Sequence, residues 1–400
     1  MRIVILVRIL WTAGAPKKAL NQARALSELG HDVRVVFLRR SERVAGYLDL
    51  VDGVTVTVLH EANSSRLVPI YDFLTGVFAP DRRGDGRIDY NFLREFWKYL
   101  EKEPCELLIC HDQYAGLAGY YSLKHLRIPY LVLLHERGDI PFPRALSLFT
   151  DIVEKRTLRN ARAVLASTDK IGKTVWAKHR IRATTNYQGV VSRTFAPFAA
   201  REPALIAVSF WDRGRRPEVY LDLLDGLPQY KLYMVGNWRT DEEERRFRVE
   251  LFKHPCRTRV ILMKGISEDV LFNLYSKSRF VVRFGFGEFG ESHAFFEGME
   301  NGVPVIVNED LGTSELVKQY NLGTVIPTLK LETARDFIAK AGNQIAYSEL
   351  QRNIGKFASE FTWRNHANAL LRAAGALTSS NQNMGPVATS KGPALAQWTQ

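Results

Sequence analysis

Short apolar runs of strand length alternate along the chain with longer stretches in which apolar residues recur at helical spacing. The run RIVILV near the start is followed by PKKALNQARALSELG, in which Ala19, Ala23 and Leu26 fall on one helical face and Gly30 ends the pattern. The segment HDVRVVFL then has the pattern of a second strand. Repetition of this strand and helix unit predicts a parallel sheet with helices packed on its faces.

The alternation runs through two cycles, and the second begins after about residue 190 with ALIAVSF and YKLYMVGN. A chain of 400 residues is too long for one ordinary core and suits two domains. The fold class we predict is α/β, with two Rossmann-like parallel-sheet domains. The expected parts are an N-terminal domain over residues 1–190, a C-terminal domain over 191–360, a closing helix over 361–375 and a disordered tail over 376–400.

The charge balance indicates anionic partners. Lys and Arg number 55 against 43 Asp and Glu, a net charge of +12. Nucleotides, phospholipid surfaces and nucleic acid are the three candidate classes. Nucleic acid is disfavoured because neither zinc-finger spacing nor an aromatic RNA-binding signature accompanies the charge.

Other sequence features place the protein in a reducing compartment. The 3 cysteines show no metal-ligand spacing. Apolar runs such as YLVLL and VPVIV are far shorter than the roughly 20 residues that cross a bilayer. The start MRIVILVRILW lacks a small-residue cleavage site, so we interpret it as a first core strand and expect a cytoplasmic protein.

Residues at the ends of the predicted strands are the first candidates for a site, because parallel sheets bind ligands at the carboxyl ends of their strands. Gly14 precedes a helix whose free amides could hold a phosphate. A dinucleotide fingerprint needs three glycines there and an acid after the second strand, where Arg39 and Arg40 stand instead. A nicotinamide-dependent oxidoreductase is therefore disfavoured, although those arginines could bind a 2′-phosphate.

Two histidines follow neighbouring strands, as His111–Asp112 and His135–Glu136. Since parallel strands end at one edge of the sheet, we expect both to face the same crevice. The sequence is compatible with a structural hydrogen-bonding role and with a functional role for this pair. The loop SFWDRGRRPE adds guanidinium groups after the first strand of the second domain, and these would suit a diphosphate: Arg213, Arg215 and Arg216.

The stretch GFGEFGESHAFFEGMENGVPVIVNEDLGTSEL, residues 285–316, lies between a predicted strand and a predicted helix. It resembles the donor site of the retaining glycosyltransferases of the GT-B fold, and is most similar to glycosyltransferase family 4 (group 1). In that family a loop with one glutamate leads into a helix with a second glutamate, then a strand and a glycine turn. The positions that match without a gap are Glu297, Gly302, Pro304, Gly312 and Glu315.

Other segments match the family in order and spacing, so the resemblance covers residue 1 to about 375. They are AGAPKKALNQARALSELGHDV, EKRTLRNARAVLASTD, NYQGV, SFWDRGRRPE and FTW. The resemblance implies two domains that face a cleft. It also implies sugar transfer with retention of configuration, from a nucleotide-sugar donor to a glycan or lipid-linked acceptor, without a cofactor or metal.

The resemblance also implies roles for individual residues. Glu297 would accept hydrogen bonds from the ribose hydroxyls, His135 would lie beside the donor sugar, and Glu291 or Glu288 would bind a sugar hydroxyl. Of these two acids we choose Glu291, because it lies closer to the helix. Further donor contacts are expected from Gly14, Arg213, Arg215 and Ser292.

The chain departs from the family pattern at two places. The family has seven residues between its glutamates, and counting back from Glu297 reaches Phe289, with Glu288 one place early and Glu291 two places late. Phe210 stands where an arginine commonly opens the basic loop. A catalytically silent GT-B protein that binds nucleotide or glycan is therefore an alternative, and an NADP-dependent oxidoreductase is a third.

Two basic segments of the first domain suggest peripheral contact with an anionic membrane at its inner face. They are PKK at residues 16–18 and DKIGKTVWAKHRIR at 169–182, where Trp176 joins the basic residues. A solvated basic helix explains the same pattern equally well.

Overall fold

The structure is a computed structural model that describes residues 1–10, 14–40, 53–60, 90–135, 144–328 and 330–375. The predicted tail over 376–400 and Glu136 lie outside the described residues.

The first domain is built on a parallel sheet with the strand order β3-β2-β1-β4-β5-β6-β7. Its strands are β1 (Arg2–Leu10), β2 (Asp32–Arg40), β3 (Thr55–His60), β4 (Leu107–His111), β5 (Tyr130–Leu134), β6 (Ala163–Ala166) and β7 (Thr184–Thr185). Its helices are α1 (Gly14–Glu28), α2 (Tyr90–Lys102), α3 (Ala115–Leu126), α4 (Arg144–Asn160) and α5 (Asp169–His179).

The second domain has a parallel sheet with the order β10-β9-β8-β11-β12-β13. Its strands are β8 (Glu202–Val208), β9 (Lys231–Val235), β10 (Val260–Met263), β11 (Ser278–Arg283), β12 (Val305–Asn308) and β13 (Gly323–Ile326). The helices that follow are α6 (Glu218–Asp225), α7 (Asp241–Lys253), α8 (Glu268–Lys277), α9 (His293–Glu300), α10 (Ser314–Tyr320), α11 (Leu331–Ala341), α12 (Gln344–Glu360) and α13 (Trp363–Ala373).

Alternation along β1 shows how the first sheet is buried on both faces. Ile3 and Ile5 join a cluster that contains α1 and α13. Val4 and Leu6 point the other way and pack with α2, α3 and α5. Successive side chains of a strand leave opposite faces, so a strand covered by helices on both sides is apolar at nearly every position. This is why RIVILV carries no alternating polar pattern.

Helix α13 crosses back onto the first domain after the second domain is complete. Thr362 caps it by accepting a hydrogen bond from the Asn365 amide at 3.1 Å. Its apolar face, Ala367, Leu370 and Leu371, packs in the same cluster as α1. The two passages between the domains lie side by side, since the Val190 amide donates to the Phe361 carbonyl at 2.7 Å.

The predicted α/β class with two parallel-sheet domains is confirmed. One local boundary differs: Gly14 is the first residue of α1 and does not lie in the loop before it. Among the described helices, none is long and apolar enough to span a membrane.

Candidate active site

The amino ends of α1 and α9 meet where the carboxyl ends of the two sheets face each other. A Cβ atom on Gly14 would overlap the His293 ring, so any larger residue there would force that ring to move. Gly290 passes the first domain in the same way, since a Cβ there would lie 2.6 Å from the His135 carbonyl oxygen. The hydroxyl of Thr168 donates to the Phe289 carbonyl at 2.5 Å, which ties the two domains together beside the cleft.

His111 and His135 face the same crevice, as their places at the ends of neighbouring strands predicted. His135 Nε2 lies 3.0 Å from His111 Nδ1, and the ring centroids are 4.9 Å apart. Asp112, in contrast, has a structural part in the fold. It accepts hydrogen bonds from the Tyr114 and Ala115 amides at 2.8 and 2.7 Å and forms an ion pair with Arg8 at 2.5 Å.

Glu297 lies in the second turn of α9 and is held by a lysine of the opposite domain. Lys17 Nζ lies 2.9 Å from Glu297 and 2.7 Å from Glu268, while the Tyr275 hydroxyl donates to Glu297 at 2.9 Å. Burial alone would raise the pKa of Glu297, but Lys17 outweighs it and lowers that pKa below its usual value. Likewise, burial would lower the pKa of Lys17, but the carboxylates of Glu297 and Glu268 raise it. This pair is therefore ionised at neutral pH.

Glu291 forms a second ion pair across the cleft. Lys18 is fully buried, and its Nζ lies 2.6 Å from Glu291. Glu291 also accepts a hydrogen bond from the backbone N–H of Gln188 at 2.5 Å. Burial lowers the pKa of Lys18 and raises that of Glu291, each partly offset by the partner. The carboxylate is thus held against the linking segment, residues 186–201, which joins β7 to β8.

Glu288 faces guanidinium groups of the second domain. It contacts Arg215 and also Arg283, the last residue of β11, at 2.5 Å. Arg215 ends a short 3-10 turn, Arg213–Arg215, and its backbone amide donates to the N-cap side chain of Asp212 at 2.9 Å. Arg213 lies exposed on the same turn. The structure therefore brings Arg215 to the acidic loop and leaves Arg213 at its rim.

Ser292 is the N-cap of α9 and accepts a hydrogen bond from the Phe295 amide at 3.3 Å. His293 follows it, and burial lowers the pKa of its imidazole to about 4. The positive end of the α9 dipole is thus located next to a neutral ring and two lysines of α1.

Several residues of this site were not recognised in the sequence. Lys17 and Lys18 belong to the segment PKK, which we interpreted as a membrane contact; that interpretation is wrong, because both lysines are turned into the cleft and paired. Gln22, Tyr275, Arg283 and His366 gave no motif signal. For Lys17 and Lys18 the only available signal was their positive charge, which can pair with the motif acids Glu297 and Glu291.

Comparison with known proteins agrees with this geometry. Residues 13–185 match the model of the family described as glycosyl transferase 4-like domain. The prediction of a glycosyltransferase is confirmed. A comparison with curated protein sequences gave no significant match.

Solved structures extend the likeness of this glycosyltransferase chain to both domains. HepE from Anabaena, in complex with UDP and glucose, is 16% identical with a TM-score of 0.72, over 94% of this chain and 100% of that chain. Sucrose-phosphate synthase from Thermosynechococcus elongatus is 17% identical with a TM-score of 0.73, over the same shares. WaaG, a glycosyltransferase involved in lipopolysaccharide biosynthesis, is 13% identical with a TM-score of 0.63, over 92% and 98%. The chain has the GT-B fold.

Proposed function

We propose that this protein transfers a sugar from a nucleotide-sugar donor to a glycan or lipid-linked acceptor, with retention of configuration and without a metal ion. The observation that carries the proposal is the buried carboxylate of Glu297, held by Lys17 where the amino ends of α1 and α9 meet. The similar fold of HepE, whose structure is a complex with UDP and glucose, supports a nucleotide-sugar as the donor.

The donor diphosphate would be held by positive charge already present in the cleft. Arg215 and the α9 amino end beside Ser292 provide it from the second domain, and the α1 amino end with Gly14 and Lys17 provides it from the first. Arg213, which is exposed at the rim of the cleft, would contact the diphosphate from its solvent-facing side. Such groups stabilise the charge that develops on the leaving group as the sugar bond breaks, so we propose that activity survives EDTA.

The donor ribose would hydrogen-bond to Glu297, exchanging with the ammonium group of Lys17. Glu297→Ala should then weaken donor binding about ten- to a hundredfold, the effect of losing charge-assisted hydrogen bonds. Isothermal titration calorimetry with a nucleoside diphosphate measures this. A folded Glu297→Ala protein with unchanged affinity would refute the assignment.

The sugar itself would be bound by His135 and Glu291, on the side of the cleft away from Arg215. Glu291 is oriented by Lys18 and the Gln188 amide, which points one carboxylate oxygen at each of them. An orienting lysine of this kind leaves the remaining lone pairs of the carboxylate for a sugar hydroxyl. Glu288, paired with arginines, is the alternative ligand.

Contact of the first domain with an anionic membrane is proposed for the remaining basic segment alone. Trp176 is 42% exposed, and the guanidinium groups of Arg180 and Arg182 lie 5.8 and 5.9 Å from its ring centroid. Sedimentation with anionic vesicles at low and high salt tests it. Absence of binding at both salt concentrations would favour a water-soluble glycan acceptor.

A thermal-shift screen of nucleotide-sugars tests the proposed function as a whole. One donor should raise the melting temperature, and the same donor should be hydrolysed or transferred in a product assay. Stabilisation with neither reaction would instead indicate a silent nucleotide-binding protein. A response to NADPH alone, seen in its fluorescence, would indicate an oxidoreductase.

A further inference from the structure

A continuous hydrogen-bonded chain of side chains runs through the buried side of the cleft, from the linking segment to His135. His366 Nδ1 lies 2.7 Å from the Tyr187 carbonyl oxygen, and Gln22 Nε2 lies 2.9 Å from His366 Nε2. His111 Nε2 then lies 2.8 Å from Gln22 Oε1, and His135 Nε2 lies 3.0 Å from His111 Nδ1. The chain joins the linking segment, α13, α1, β4 and the end of β5.

The Tyr187 carbonyl, at one end of this hydrogen-bonded chain, fixes the direction of every hydrogen bond in it. A carbonyl oxygen only accepts, so His366 must carry its hydrogen on Nδ1 and accept at Nε2 from the Gln22 amide group. The Gln22 oxygen must then accept from His111 Nε2–H. His111 Nδ1 is left without a hydrogen and accepts from His135 Nε2–H. The remaining nitrogen of His135, Nδ1, is therefore unprotonated.

This alternation of donors and acceptors requires three neutral imidazole rings, and burial keeps the rings neutral. Burial, with help from the nearby Lys18 ammonium group, lowers the pKa of His366 to about 3. Burial also holds the pKa of His111 and His135 well below the usual value, and Lys18 acts in the same direction on both. A neutral imidazole has one donor and one acceptor nitrogen, so the alternation holds at every ring.

We propose that Gln22 and His366 are positioning residues that hold His135 in its Nε2–H tautomer, so that His135 Nδ1 serves as a hydrogen-bond acceptor. The proposal deepens the proposed function and rests on it for its role in sugar transfer. An acceptor nitrogen can receive a hydrogen bond from a sugar hydroxyl, whereas it would repel a phosphate oxygen. Since His366 belongs to α13, the tautomer of His135 is set only while α13 is packed on the first domain.

The tautomers can be read directly from the wild-type protein, with no substitution. Long-range ¹H–¹⁵N correlation spectra of protein labelled with ¹⁵N-histidine distinguish Nδ1–H from Nε2–H rings at neutral pH. We expect the Nδ1–H form for His366 and the Nε2–H form for His111 and His135. An Nδ1–H form for His135 would overturn the proposal.

Gln22→Leu breaks the hydrogen bonds between His366 and His111 and so tests whether the hydrogen-bonded chain sets these tautomers. His366 should keep its Nδ1–H form, because the Tyr187 carbonyl is untouched, while His111 and His135 should each show both tautomers. The value of kcat should fall about tenfold, roughly the effect of one hydrogen bond, with the donor KM within about twofold. Gln351→Leu is the matched control: its amide donates to the Ala196 and Gly302 carbonyls, away from this chain.

The two proposals fail in different ways. If no donor is turned over while the three tautomers are as expected, the proposed function is wrong and the hydrogen-bonded chain stands. If Gln22→Leu lowers kcat while the spectra of His111 and His135 stay unchanged, Gln22 acts only through packing and the positioning role is refuted.

Discussion

Substitution of Lys17 measures how much the ion pair with Glu297, which joins the two domains at the candidate donor site, contributes to stability. In Lys17→Met the buried Glu297 keeps the Tyr275 hydroxyl and loses its cation, while Glu268 is partly exposed and can be hydrated. The methionine retains most of the aliphatic stem, so the change is mainly one of charge. We expect a large loss of stability in the absence of any donor.

The magnitude follows from the geometry. At the Nζ to Oε1 distance of 2.9 Å, Coulomb attraction at an effective dielectric of about 20 is roughly 6 kcal/mol, against several kcal/mol of desolvation. Breaking a buried pair by removing one partner leaves the other charge uncompensated, which costs about 3–5 kcal/mol. That is a large share of the usual 5–15 kcal/mol of unfolding free energy.

The loss should also depend on pH with a definite sign. In the wild type the pKa of Glu297 is lowered, so its stabilisation is present above the unfolded value of 4.5 and is lost as pH falls. In Lys17→Met, burial without the cation raises the pKa of Glu297, and protonation of Glu297 then removes the unpaired buried charge. The difference between wild type and variant should therefore shrink as pH falls from 7.5 toward 5.

Urea unfolding followed by tryptophan fluorescence measures the free energies. Lys17→Met/Glu297→Gln should recover much of the loss, because a neutral pair leaves no buried charge. Lys98→Met removes the exposed pair with Glu95 and should change stability by no more than about 1 kcal/mol. A Lys17→Met protein as stable as the Lys98→Met control would show that the buried ion pair contributes no more to stability than an exposed one.

Three further outcomes follow from the same cleft. Burial lowers the pKa of His366 to about 3, so below the unfolded value of 6.5 the unfolded state binds a proton that the folded state does not, and stability falls. His366→Gln should therefore reduce the loss of stability between pH 7 and 5 by about 2 kcal/mol relative to wild type, as measured by urea unfolding at both pH values. Glu291→Gln should lower turnover at least about tenfold with nucleoside diphosphate affinity within a few-fold, and Glu288→Gln should do little; the reverse ranking in a transfer assay would move the role to Glu288. Gly14→Ala should lower activity because its Cβ would overlap His293, and full activity would show that the cleft opens before the donor binds.

Local pattern determined the elements and part of the site. Apolar periodicity and helix-ending glycines identify strands and helices because each depends on neighbours in the chain. The adjacency of His111 and His135 was also predictable, since consecutive parallel strands end at one edge of a sheet. The same holds for Ser292 at the start of α9, three residues before the amide that it caps.

Pairing across the cleft was decided by the tertiary structure alone. Lys17 and Glu297 are 280 positions apart, and Gln22 and His366 are 344 apart. In the sequence Lys17 and Lys18 have the pattern of a solvated basic helix, and His366 that of an ordinary helix residue. Whether such a side chain meets solvent or a buried partner depends on how the domains close and where α13 returns, which local propensity does not encode. Desolvation then sets the charge of each group, because only a buried lysine needs a carboxylate and only a buried histidine must stay neutral.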